Sequence, residues 1–220
     1  MFARALKLLA GNWQIVVPGL VAGGLSALVG AILRPSSEDA GVGGTITWFL
    51  SSALQLVASI VSIAYTTGMA QAAWERGTAN FADGYRAFSR DGSHVFVAMI
   101  GMFVTGLLAV WVSQYTFGLG LAVYVFFFIY TMPAAVAGEE GGLHAMVQSA
   151  QLALRRPLAT GGMVAIIAAI VLGVSLLAGL IWATPLVGPL VAALLGQTLI
   201  GYLTLVTVGE YLTLRPALRA

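Results

Sequence analysis

The chain has 220 residues, 60% of them hydrophobic and only 8% charged, with a mean hydropathy of +0.96. Soluble domains carry about a quarter charged residues, so this composition excludes an ordinary soluble fold. A net charge of +2 is too small for a nucleic-acid surface, and with no cysteine there is no disulfide, thiolate metal site or cysteine nucleophile.

A bilayer core about 30 Å thick is crossed by about twenty apolar residues in helical form. Six such runs divide the chain, which predicts an all-α, polytopic membrane protein with one six-span domain over residues 1–220. Residues 2–9 come first, a short amphipathic segment carrying Arg4 and Lys7. Span one follows at 13–33, too long for a signal-peptide core and without a clear cleavage site, so it reads as a retained span. It bears Gly19, Gly23, Ala27 and Ala31 at four-residue spacing, a small-residue face on which a neighbouring helix can sit closely. The loop 35–45, rich in Ser, Gly and acids, reads as exposed and mobile.

Span two, 46–73, is longer than the bilayer needs and is expected to tilt or extend to the cytoplasmic side near Trp74 and Arg76. A second amphipathic segment follows at 81–88, where Phe81, Tyr85 and Phe88 fall at i, i+4, i+7, the stripe of a helix lying on a surface. Spans three (95–113) and four (121–137) are joined by a glycine-bearing turn, and Pro133 predicts a kink near the inner end of span four. A third amphipathic segment, 143–154, ends at Arg155 and Arg156. Spans five (161–183) and six (190–208) are joined by an uncharged link.

Each amphipathic segment precedes an odd-numbered span. The first two align without a gap, pairing Phe2 with Phe81, Leu6 with Tyr85, Lys7 with Arg86 and Leu9 with Phe88. The third matches by pattern only. The expected architecture is three copies of interfacial helix, span, turn, span.

Nine of the ten Lys and Arg residues fall in alternate gaps: Arg4 and Lys7, then Arg76, Arg86 and Arg90, then Arg155 and Arg156, then Arg215 and Arg219. Only Arg34 falls in the other set. Basic residues are retained on the cytoplasmic side during insertion, so both termini are expected there. The tryptophans agree, with Trp13 and Trp74 at inner span ends and Trp48, Trp111 and Trp182 at outer ends. Membrane lipids are the expected partners, with Arg86, Arg90, Arg155 and Arg156 as candidate headgroup contacts.

Ion-coupled transporters keep ionisable groups in mid-membrane, and here no span carries one deeply. His94 and Glu210 sit at inner span ends. The deepest polar pair is Gln197 and Thr198, which with Tyr202 forms a candidate intramembrane polar site, although neutral groups at such depth ordinarily hydrogen-bond between helices. Zinc takes three or four ligands, and two histidines, even with Glu139 and Glu140 near His144, fall short of a metal site. No cofactor, metal or catalytic set is expected. An enzyme acting on membrane lipid would need His94, Glu139, Glu140 and His144 to converge.

Residues 133–155 begin at Pro133, pass through Glu139, Glu140 and a Gly-Gly turn, and continue through Ser149 to Arg155. This segment resembles a pattern in six-span membrane proteins of bacteria and archaea. There a proline ending span four is followed by one or two acids, a small turn, then an Ala- and Ser-containing helix ending in Arg. Those proteins are similar to the membrane domain fused to some glycerophosphodiester phosphodiesterases, and residues 68–90 resemble their loop after span two. The resemblance implies the six-span architecture and no established activity; without a phosphodiesterase domain in this sequence, hydrolysis does not carry over. Pro133, Glu139, Glu140 and Ser149 are the positions that match the pattern.

These features point to a non-enzymatic membrane protein acting on lipid organisation or as an assembly platform for another membrane protein or a second copy. The alternative is a small transporter or channel for a neutral or lipid-like solute passing Gln197, Thr198 and Tyr202. A polar cavity at that depth favours the alternative; dry packing favours the platform.

Overall fold

The computed structural model describes residues 1–32, 42–138, 141–182 and 188–216. Arg34, Glu139, Glu140, Arg219 and most of the loops at 35–45 and 184–189 lie outside the described residues. Every described element is helical: α1 (Phe2–Gly11), α2 (Val17–Ile32), α3 (Val42–Arg76), α4 (Phe81–Tyr115), α5 (Leu119–Phe128), α6 (Thr131–Ala137), α7 (Leu143–Arg155), α8 (Pro157–Trp182) and α9 (Gly188–Leu214). A chain this apolar satisfies its backbone within each segment because hydrocarbon offers no hydrogen-bonding partner.

Five segments are long and apolar enough to cross a membrane: Leu50–Arg76 of α3, α4, the α5–α6 pair, α8, and Leu190–Leu214 of α9. A sixth arises if α1 and the segment Trp13–Val29, bent by 95° to each other, count as one. Asn12 holds that elbow. Its amide donates to the carbonyls of Leu8 (2.9 Å) and Gly77 (3.1 Å), and its side-chain oxygen accepts from the Ala79 amide (2.7 Å). The α1–α2 elbow is therefore tied to the turn between α3 and α4.

That turn is specified locally. Gly77, at φ 81°, stops α3 with a bond from its amide to the Ala73 carbonyl, a left-handed position that glycine adopts without strain. Asn80 and Asp83 then start α4 with a reciprocal capping box, both bonds 3.0 Å. The second amphipathic segment is not a separate surface helix: it is the first part of the 35-residue α4. The polar run 89–94 contains no proline, and its Gly92 does not take the left-handed conformation that ends a helix, so the capped start propagates into span three. α3 and α4 lie close because Gly68 and Gly84 leave no side chain between them; a Cβ on Gly84 would stand 2.7 Å from the Tyr65 ring.

Span four is broken. α5 ends at Phe128, α6 begins at Thr131, and Pro133 explains the gap, since it offers no amide to the Ile129 carbonyl four residues back. Ser149 of α7 mends it, accepting from the Tyr130 amide (3.1 Å) and donating to the Phe127 carbonyl (2.7 Å). Tyr130 is fully buried and its hydroxyl meets Thr160 of α8 at 3.2 Å. α6 is enclosed along nearly its whole length, and its last carbonyls are capped from other helices: Arg90 donates to Val136 (3.1 Å) and Arg215 to Ala137 (2.9 Å). Cations at a helix C-terminus complement its partial negative charge.

The core clusters around α6, α1 and the C-terminal parts of α3 and α9, with Met69, Tyr130, Val136, Leu205 and Tyr211 among its enclosed residues. Leu107, Leu108, Leu172, Leu176 and Leu180 on α4 and α8 are exposed, as suits faces whose solvent is hydrocarbon. Trp13, Trp111 and Trp182 are also exposed. Trp74 differs. Its indole donates to the Leu205 carbonyl (2.7 Å), its ring lies against Gly209, and the Arg4 guanidinium sits 4.6 Å from the ring centre, so it wedges α3 between α1 and α9.

Candidate functional site

Two concavities share helices α3 and α4. The larger is an apolar groove of about 490 Å³ between α2 and α3, closed at one end by Phe81 of α4. Val21 and Leu25 face Val57, Ala58 and Val61 across it. It runs from Val17 to Val29 of α2, about 18 Å at 1.5 Å per helical residue. Among the described residues that line it, only Ser62 and Tyr65 carry polar side-chain atoms. Such a wall is suited to a hydrocarbon chain rather than a polar solute.

The second is a charged cleft of about 160 Å³ between the C-terminal end of α3 and the N-terminal end of α4, lined by Glu75 and Arg76 and by Asp83, Arg86 and Arg90. One oxygen of Asp83 faces two guanidiniums, Arg76 at 2.6 Å and Arg86 at 3.2 Å. The other accepts from the Asn80 amide. Burial alone would push the Asp83 carboxyl up; the Arg76 and Asn80 hydrogen bonds and the charges of both arginines outweigh it and hold the group below the usual carboxylate value. Asp83 lies three turns before the apolar stretch that begins at Val95, outside the spanning part of α4. Glu75 is exposed and takes a hydrogen bond from Gln71 (2.8 Å).

The candidate headgroup arginines separate. Arg86 lies in the cleft, two-thirds exposed along its side chain. Arg90 also reaches the cleft but is committed elsewhere, paired with Asp91 at 2.7 Å and donating to Val136. Arg155 and Arg156 are exposed at the junction of α7 and α8, away from this cleft. The sequence reading passed over Arg76 as a headgroup contact; its place one turn before a capped helix start was the available signal.

Gln197, Thr198 and Tyr202 do not converge. Gln197 fills a notch on α2 between Gly19 and Gly23, where a Cβ on Gly23 would stand 3.2 Å from its amide nitrogen. Thr198 is exposed and donates to Leu194 of its own helix (2.8 Å), while Tyr202 reaches the Phe2 carbonyl on α1 (3.4 Å). The small-residue face of span one thus receives a polar side chain, in close packing.

Of the pattern positions, Pro133 and Ser149 are brought together at the break in span four; Glu139 and Glu140 lie outside the described residues. His94 and His144 are both exposed, with the His94 ring against Gly141. Among the described residues no three His, Asp or Glu side chains are grouped to hold a metal. Comparison with protein-family models, with curated proteins and with solved structures gives no match.

Proposed function

We propose that this chain is a non-enzymatic, multi-pass protein of a bacterial or archaeal cytoplasmic membrane, both termini inside, that holds membrane lipid and organises it or the proteins around it. The observation that carries this reading is the apolar groove between α2 and α3, which is long enough for much of an acyl chain and nearly free of polar atoms. The packing of Gln197 against Gly19 and Gly23 supports it over the transport alternative, because the deepest polar side chain occupies a helix contact. The likeness of residues 133–155 to six-span proteins is read as structural, since Pro133 and Ser149 make and mend one helix break.

The test is native mass spectrometry of the protein extracted in mild detergent, with lipid released by gentle activation and identified. Retained phospholipid, reduced when Ala58→Trp fills the groove, is the expected result. A protein that emerges bare, or that retains lipid equally with the groove filled, overturns the reading.

A further inference from the structure

We infer that the cleft between the C-terminal end of α3 and the N-terminal end of α4 recognises a zwitterionic phosphoethanolamine headgroup, in preference to an anionic one. The inference rests on the lipid-binding reading above and names the lipid class.

The charges of the cleft, paired off, leave one of each sign. Arg90 is neutralised by Asp91, which it contacts at 2.7 Å, and its guanidinium is held further by the Val136 carbonyl. Arg76 and Arg86 share a single oxygen of one carboxylate, Asp83, whose other oxygen is taken by the Asn80 amide. Two guanidiniums against one carboxylate leave one positive charge uncompensated, on side chains half and two-thirds exposed. Glu75, on the same wall, takes its hydrogen bond from a neutral amide and makes no ion pair among the described residues, which leaves one negative charge without a close cation there.

A phosphodiester and a primary ammonium two carbons apart carry the complementary pair. The phosphate oxygens accept from the exposed guanidiniums of Arg76 and Arg86, for which guanidinium geometry is well suited. The ammonium donates to Glu75 and shares its exposed carboxylate with Gln71. A phosphatidylglycerol headgroup gives Glu75 no cation and brings a second anion beside it. A phosphocholine headgroup carries the charge but no N–H to donate. The cleft, at about 160 Å³, has room for a headgroup and not for a whole phospholipid. The apolar groove adjoins the cleft along α3, with Tyr65 on the groove wall and Gly68, three residues on, lining the cleft.

The experiment equilibrates the purified full chain in mild detergent with equimolar dioleoyl phosphatidylethanolamine, phosphatidylglycerol and phosphatidylcholine, and counts bound lipid by native mass spectrometry. The wild type should retain the ethanolamine lipid over the glycerol lipid by about threefold, the scale of one exposed ion pair. Glu75→Gln should bring that ratio to about one, Glu75→Asp should keep the preference, and Arg86→Gln should lower retention of all three. Glycerol lipid held as well as or better than ethanolamine lipid, or a ratio unmoved by Glu75→Gln, overturns this inference and leaves the lipid-binding reading standing. Retention of no phospholipid overturns both.

Discussion

Ser149 of α7 and Tyr130 of span four are joined by a hydrogen bond of 3.1 Å from the Tyr130 amide to the Ser149 hydroxyl, which in turn donates to Phe127. A side chain from one helix thus completes the backbone of another at the point where Pro133 interrupts it. Ser149→Ala leaves a buried amide and carbonyl without partners and should cost about 1–3 kcal/mol. Pro133→Ala returns an amide donor to the ladder, so Ser149→Ala should cost less in that background. The double-mutant cycle, read as shifts in the unfolding midpoint in detergent, checks this; additive losses would separate the two residues.

Gly19 and Gln197 form a second coupled pair. Gly19→Ala places a methyl group on the Gln197 side-chain oxygen and should destabilise by about 1–3 kcal/mol, the usual cost of overpacking. Gln197→Ala should rescue most of that loss. Absence of rescue in thermal midpoints would mean that the notch is not closed by Gln197.

Asn12→Leu removes the two hydrogen bonds that tie the α1–α2 elbow to the 77–79 turn and a third to Leu8 within α1, at a cost of about 2–3 kcal/mol. The effect should be local first. Hydrogen exchange over α1 should rise severalfold while α8 is unchanged.

Asp83 gives a pH dependence of defined sign. Its folded carboxyl lies below its unfolded value, so it binds protons less readily when folded. The stability it contributes is fully present above the unfolded value, near pH 4, and is lost as pH falls through the lower folded value. Between pH 7 and pH 3 the wild type should lose more thermal stability than Asp83→Asn. Parallel losses would remove Asp83 as the cause.

Because the chain has no cysteine, single-cysteine labelling reads orientation without background. Thr78→Cys in the α3–α4 turn should be protected from an impermeant thiol reagent in intact cells, and Phe117→Cys, fully exposed between α4 and α5, should react. The reverse pattern would invert the topology.

The positions of the spans were legible because twenty apolar residues leave a run that nothing else explains. Junctions were less so. The polar run 89–94 reads as a linker, yet it is helical because the Asn80–Asp83 box fixes a start and no stop follows before Thr116. The break in span four was half legible: Pro133 announces it, but the bond that mends it comes from a serine sixteen residues later whose reach depends on tertiary packing. Trp74 reads as an interfacial anchor and instead wedges against Gly209, a contact across sequence distance that no local pattern encodes. Asn12 carries no sequence signal of its role, since one polar residue beside Trp13 is what an ordinary span entrance contains. Charge alone marks both Arg86 and Arg76; that they share one cleft follows from the capped start of α4, which brings Asp83 between them.

The caps on α6 have a consequence for the order of biogenesis. The Ala137 carbonyl is satisfied by Arg215, which lies 78 positions later in the chain. When span four first leaves the ribosome, that donor has not been made. The C-terminal cap of α6 is therefore completed only once the last helix has been made.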